Sequence, residues 1–102
     1  MMLLTQENKT QLPTLYAQDG KGMDAIAYVK FFDPVGPWTW YATEFDGKDT
    51  FFGLVCGFED ELGYFSLNEL QHCKDGQRGM KALGIERDMH WKPRPLKECK
   101  GS

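Results

Sequence analysis

An α+β fold, a single domain with one antiparallel sheet of about 4–5 strands and one or two short helices, is the class that this sequence predicts. Three observations carry it. The runs "AIAYVKFFD", "WTWYATEF" and "TFFGLVCGF" are strand-length and rich in aromatic and β-branched residues. Between the second and third stands "DGKD", whose glycine accepts the positive φ of a hairpin turn. Further on, "SLNEL" carries the spacing of a helix start. With 102 residues, 41% of them hydrophobic, the chain suffices for one core and not for two. The domain is therefore expected to span 1–102, with a compact part over about 3–96 and a tail over 97–102.

Each element has its own local reason. Thr5 is placed to cap a first helix, which Pro13 obliges to end near Leu12 because a residue before proline avoids the helical region. "QDGKGMD" reads as a loop. The first strand alternates Ile26, Tyr28, Lys30 and Phe32 against Ala27, Val29 and Phe31, with little polar surface, so it is expected to be central. In the second, period two sets Trp38, Trp40 and Ala42 opposite Thr39, Tyr41, Thr43 and Phe45. The bulkier tryptophan side is expected to pack inward, leaving Tyr41, Thr39 and Thr43 on a wet face. In the third, Phe52, Leu54, Cys56 and Phe58 share one side. Gly53 and Gly57 share the other and leave room there for a bulky neighbour. "EDELG" reads as an acidic turn before a short strand "YF". Ser66 and Glu69 form an S-x-x-E capping box, with Phe65 and Leu70 as a hydrophobic staple, for a helix over about Leu67 to Lys74. A last strand is expected near Ile85 to Trp91, followed by an extended, proline-punctuated tail.

Charge is unevenly divided. Residues 1–43 carry a net −1, residues 44–71 a net −6 and residues 72–102 a net +4, against −3 for the whole chain. Such asymmetry is the pattern of two different contact surfaces, or of acidic residues that decorate two turns and basic residues that solvate a coil-rich tail. The acidic stretch supplies Glu44, Asp46, Asp49, Glu59, Asp60 and Glu61, read as carboxylates on two neighbouring turns that could occupy a positively charged channel of a partner and compete with phosphates. A second reading makes the sheet a nucleic-acid face. Tyr28, Trp40 and Tyr41 would stack bases, while Lys30, Arg87, Lys92 and Arg94 would hold the backbone. The net negative charge weighs against that reading.

Catalysis is not expected. The densest polar cluster, Glu86, Arg87, Asp88 and His90, alternates faces on a strand, and Arg87 with Asp88 reads better as an ion pair pinning the chain. No GxSxG, phosphate-cradling glycine loop or HExxH occurs. Cys56, Cys73 and Cys99 are widely spaced without a CxxC, and adjacent His72 and Cys73 would point apart on a helix, so reduced thiols are expected rather than a metal site. No cofactor is implied. The start "MMLLTQENKT" lacks a basic signal-peptide region and no run is long enough to span a membrane, so a cytoplasmic location is expected.

Taken together, "LPTLYAQ", "YVKFF", "WTWYATEFDG", "DTFFGLVCGFEDELGYFSLNEL" and "GIERDMHWKP" resemble the domain-of-unknown-function family 2958, from about Leu3 to Leu96. The resemblance implies no catalytic residues. It implies a setting, the accessory genes of bacterial plasmids, integrative elements and phages. The expected role is thus a non-enzymatic accessory protein that contacts a host protein through its acidic surface, as an inhibitor of the anti-CRISPR or anti-restriction type would.

Overall fold

Threonine 5 begins the fold as the sequence predicts. In the computed structural model, which describes residues 3–34, 36–72 and 85–99, helix α1 spans Gln6–Gln11. The Thr5 hydroxyl accepts from the Asn8 N–H at 3.1 Å, and the Asn8 side chain accepts from the Thr5 N–H at 3.1 Å. That reciprocal box satisfies two groups that a helix start otherwise leaves open. Leu12 leaves the helix in extended backbone, ahead of Pro13.

The strands follow in order: β1 (Ile26–Ala27), β2 (Val29–Phe32), β3 (Thr39–Phe45), β4 (Thr50–Cys56) and β5 (Asp60–Ser66). Helix α2 (Leu67–His72), β6 (Glu86–Arg87) and β7 (Arg94–Pro95) complete the described elements. Five strands form one antiparallel sheet in the order β5-β4-β3-β2-β6, while β1 and β7 pair apart as a two-stranded antiparallel sheet. The fold is α+β. Central placement of β2, between β3 and β6, agrees with its lack of free polar surface.

Helix α2 begins on Ser66, whose hydroxyl accepts from the Glu69 N–H at 3.2 Å. The second partner is Asp49, not Glu69: its carboxylate accepts from the Ser66 hydroxyl at 2.6 Å and from the Asn68 N–H at 2.7 Å. Phe65 and Leu70 are both buried, as a staple requires. The expected end of this helix at Lys74 lies outside the described residues.

Both faces of the large sheet are covered. On the first, Val29, Phe31, Ala42, Phe45 and Phe51 pack with Leu4 and Leu12 beside α1 and with Leu67 and Leu70 of α2. On the second, Tyr41 and Leu54 pack with Ala25, Ala27, Leu96 and Cys99. Of the expected tail over 97–102, residues 97–99 are described: Leu96–Glu98 form a single 3-10 turn and Cys99 is completely buried. The cover of Tyr41 overturns the expected wet face. Trp40 does lean on the first core, but Tyr41 is 5% exposed and Thr43 is buried.

A β-bulge accounts for a second difference. The β3–β4 register passes from Ala42↔Gly53 to Glu44↔Phe52, so Thr43 and Glu44 together face Phe52, and the Thr43 hydroxyl donates to the Phe52 carbonyl at 2.9 Å. Phe45 is thereby turned from the side of Tyr41 to the first core, where it stacks on Phe51 at 4.5 Å between centroids. The same close approach explains Gly53, where a Cβ would collide with the Tyr41 carbonyl oxygen. At the far end of β4 the expected bulky neighbour is present, because a Cβ on Gly57 would strike the Trp38 ring.

Candidate interaction surface

The six carboxylates singled out in the sequence divide into two groups at opposite ends of β4. The β3–β4 turn follows the pair Phe45↔Phe51, and the β4–β5 turn follows Cys56↔Asp60. Seven strand residues at about 3.4 Å each hold the two turns roughly 20 Å apart. They do not form one patch.

The first group is engaged inside the fold. Glu44 is only 3% exposed; one carboxylate oxygen accepts from the Tyr16 N–H at 2.8 Å and the other from the Gln18 N–H at 2.7 Å. Asp46 accepts through one oxygen from the N–H groups of Lys48, Asp49 and Thr50, which closes the turn around Gly47 at φ 89°. Those backbone donors, led by Asp49, hold its carboxyl below the usual carboxylate range. Asp49 caps α2 as described. Glu44 therefore does not stand on an exposed surface, while Asp46 accepts from the turn's own backbone and Asp49 from the start of α2.

The second group differs in kind. Glu59, Asp60 and Glu61 are all solvent-exposed, and Asp60 and Glu61 open strand β5 rather than forming a turn. Beside them Phe58 is 88% exposed. The sequence predicts a strand through Phe58, on the side of Phe52, Leu54 and Cys56, but β4 ends at Cys56 and Phe58 sits in the turn. Its ring meets Trp38 edge-on at 5.7 Å, and Trp38 stacks on Trp40 at 6.1 Å. A groove of about 460 Å³ runs here, lined by Trp38, Val55, Phe58 and Gly63 with Glu59 and Glu61 among its walls. Strand β5 is an outer strand, hydrogen-bonded to β4 on one side. The available signal for Phe58 was its position between Gly57 and three consecutive acids, an unusual place for a core ring.

A family model described as a protein of unknown function, DUF2958, matches residues 3–97. The chain belongs to that family. No curated protein and no solved structure matches it.

In this DUF2958 chain the residues of the expected nucleic-acid face are scattered among internal duties. The Tyr41 hydroxyl donates to the Cys99 carbonyl at 3.4 Å and its ring lies 5.6 Å from that of Trp91, so it cannot stack a base. Lys30 pairs with Asp88 at 3.9 Å and sits over both the Tyr41 and Trp91 rings. Arg94 stacks on Trp91 at 4.5 Å, and the Trp91 N–H donates to the Ala27 carbonyl at 3.0 Å. Arg87 donates to the Leu3 carbonyl at 2.8 Å, and the ion pair expected of Asp88 is made with Lys30. Tyr28 and Trp40 are half-buried against the first core, and Lys92 is exposed. Among the described residues no three His, Cys, Asp or Glu side chains gather as a metal centre, and no helix is long and apolar enough to cross a membrane. Cys73 lies outside the described residues; Cys56 is half-buried and Cys99 buried as a thiol.

Burial on the second face has a pH signature in this DUF2958 fold. Burial, then the nearby Cys56 and Cys99, pushes the Tyr41 phenol up to about 12, and burial pushes the Cys99 thiol up to about 11. Both folded values lie above the ordinary values of 10.0 and 9.0. The contribution to stability is therefore complete below the ordinary values and is lost as pH rises through 11 and 12. The difference between alkaline titrations of the parent chain and Tyr41→Phe, followed by tyrosinate absorbance, is expected to show Tyr41 ionising together with loss of structure. Ionisation at its ordinary value in the folded protein would contradict the packing.

Proposed function

We propose that the protein acts without catalysis, as an accessory protein of a mobile genetic element, by docking a basic surface of a host protein on the Phe58–Glu61 end of the sheet. The observation that supports this is the juxtaposition of an 88% exposed phenylalanine with three successive exposed carboxylates that lead into an outer strand. Aromatic anchors supply most of the affinity of protein contacts, and flanking charge steers the encounter and selects a partner of opposite sign. A host nuclease or CRISPR effector presents such a basic surface where it holds nucleic acid, so occupation of this surface would block it. An anti-defence role follows from that chemistry and from the resemblance described above.

A photo-reactive phenylalanine placed at position 58 tests the reading in host lysate with and without nuclease. The expected result is a protein adduct that survives nuclease. With the captured partner purified, Phe58→Ala is expected to weaken binding by roughly 30-fold or more, as for an interface anchor. The triple change Glu59→Gln, Asp60→Asn and Glu61→Gln is expected to slow association and flatten its salt dependence. Both sets lie on exposed positions and should leave stability within about 0.5 kcal/mol of the parent. Capture of nucleic acid alone, or binding indifferent to all four changes, would refute the proposal.

A further inference from the structure

A second hollow lies to the other side of β5, on the face of Tyr41 and Leu54. It holds about 360 Å³ between the segment Tyr16 to Gly22 and the side chains of Phe52, Leu62 and Tyr64. Two carboxylates, Asp19 and Glu44, stand in its lining, with no Lys, Arg or His among the lining residues. Glu44 is the telling one. A buried carboxylate usually sits against a cation, yet among the described residues no ion pair reaches it. Among the described residues its two oxygens accept from the Tyr16 and Gln18 N–H groups alone. Each oxygen retains a further lone pair for another donor. Aromatic rings line the hollow together with this negative centre: Phe52 meets Tyr64 edge-on at 5.0 Å, and Tyr16, two-thirds exposed, stands in the same lining. Tyr16 holds this position with φ 75°, a left-handed backbone that few non-glycine residues adopt.

From this we infer that the cleft between Tyr16 and Tyr64 is a binding site for an organic cation, an ammonium or guanidinium group. Ring faces attract such a cation through their quadrupole, and a desolvated carboxylate adds charge-assisted hydrogen bonds. A neutral or anionic head group would meet two carboxylates and no compensating base. The same head group is carried by free small amines and by lysine or arginine side chains of another protein, and the site's chemistry is shared by both sources. The site stands apart from the Phe58 groove, although Leu62 and Tyr64 border both hollows.

The test is an amide NMR titration at low ionic strength with N-methylguanidinium, with N-methylurea as its neutral counterpart. Shifts of the Tyr16 and Gln18 amides, which touch Glu44, are expected with the cation and not with the urea. Asp19→Asn and Tyr64→Leu, both at exposed positions, are each expected to weaken binding about 3- to 10-fold. N-acetyl-arginine methylamide then separates the sources: binding at least about tenfold tighter than methylguanidinium assigns the site to a protein side chain. Equal or weaker binding assigns it to a free small cation. Equal responses to cation and urea would overturn the inference. So would shifts confined to Glu59–Glu61, an outcome that leaves the Phe58 surface intact.

Discussion

Replacing Phe51 with alanine is expected to cost about 3–5 kcal/mol, the range for removing a buried phenylalanine. Phe51 is completely buried in the first core. Its ring stacks on Phe45 at 4.5 Å and Phe65 at 5.1 Å and meets Phe31 edge-on at 5.4 Å. One truncation therefore leaves three rings facing a void that rigid sheet neighbours cannot close. For a domain of this size the midpoint of thermal unfolding should fall by roughly 15–30 °C. Such a loss is a large share of the stability of about 5–15 kcal/mol that a single domain has in total. The adjacent Phe52→Ala is the control, since its ring is half-buried on the other face; about 1–2 kcal/mol is expected. Chemical denaturation of both variants measures the contrast. Equal losses would mean that the aromatic face is not the core.

Glu44→Ala is expected to lose about 2–4 kcal/mol, because it strips acceptors from two backbone N–H groups at once. The loss should be local in origin. Gln18 is stitched beside it, its side-chain N–H₂ donating to the Ile26 and Thr43 carbonyls at 3.0 and 2.8 Å while its carbonyl accepts from the Ile26 N–H at 2.7 Å. Glu44 thus anchors the segment before β1 to the bulge in β3. Hydrogen exchange at the Tyr16 and Gln18 amides should accelerate in the variant well before exchange in β4. Uniform acceleration across the sheet would show that Glu44 instead supports the whole fold. Unchanged exchange at Tyr16 and Gln18 would remove it from this role altogether.

What the sequence made legible follows a physical boundary. Features decided within a few residues could be read directly: Thr5 as a cap, Leu12 as a helix end before Pro13, and Gly47 in a hairpin turn. Alternation in β2 and β4 was also readable, because period two is a property of the strand itself. The wet face predicted for Tyr41 failed because its cover comes from Trp91, Leu96 and Cys99, some 50 or more residues on, and periodicity carries no information about distant partners. Glu44 was misplaced for a different reason. A bulge at Thr43 has no compositional mark, yet it reverses the side on which every later residue of β3 lies. The two acidic groups looked adjacent in sequence, but the length of β4 sets them at opposite ends. Only Phe58, flanked by glycine and acids, offered a local sign that a ring stood outside the core.

The pairing of β1 with β7 has a consequence for the order in which the protein is made. Ile26 faces Pro95, and Leu96 donates to the Ala25 carbonyl at 2.9 Å, so the second face closes with residues translated after every strand of the large sheet. Until then Tyr41 and Leu54 remain without their lid on a nascent chain whose other face can already condense. Contacts this far apart in sequence carry a loop-closure cost and form late. Closing the second face is thus the late step that this topology sets for folding, and until Leu96 docks the apolar surface of Tyr41 and Leu54 is open to water.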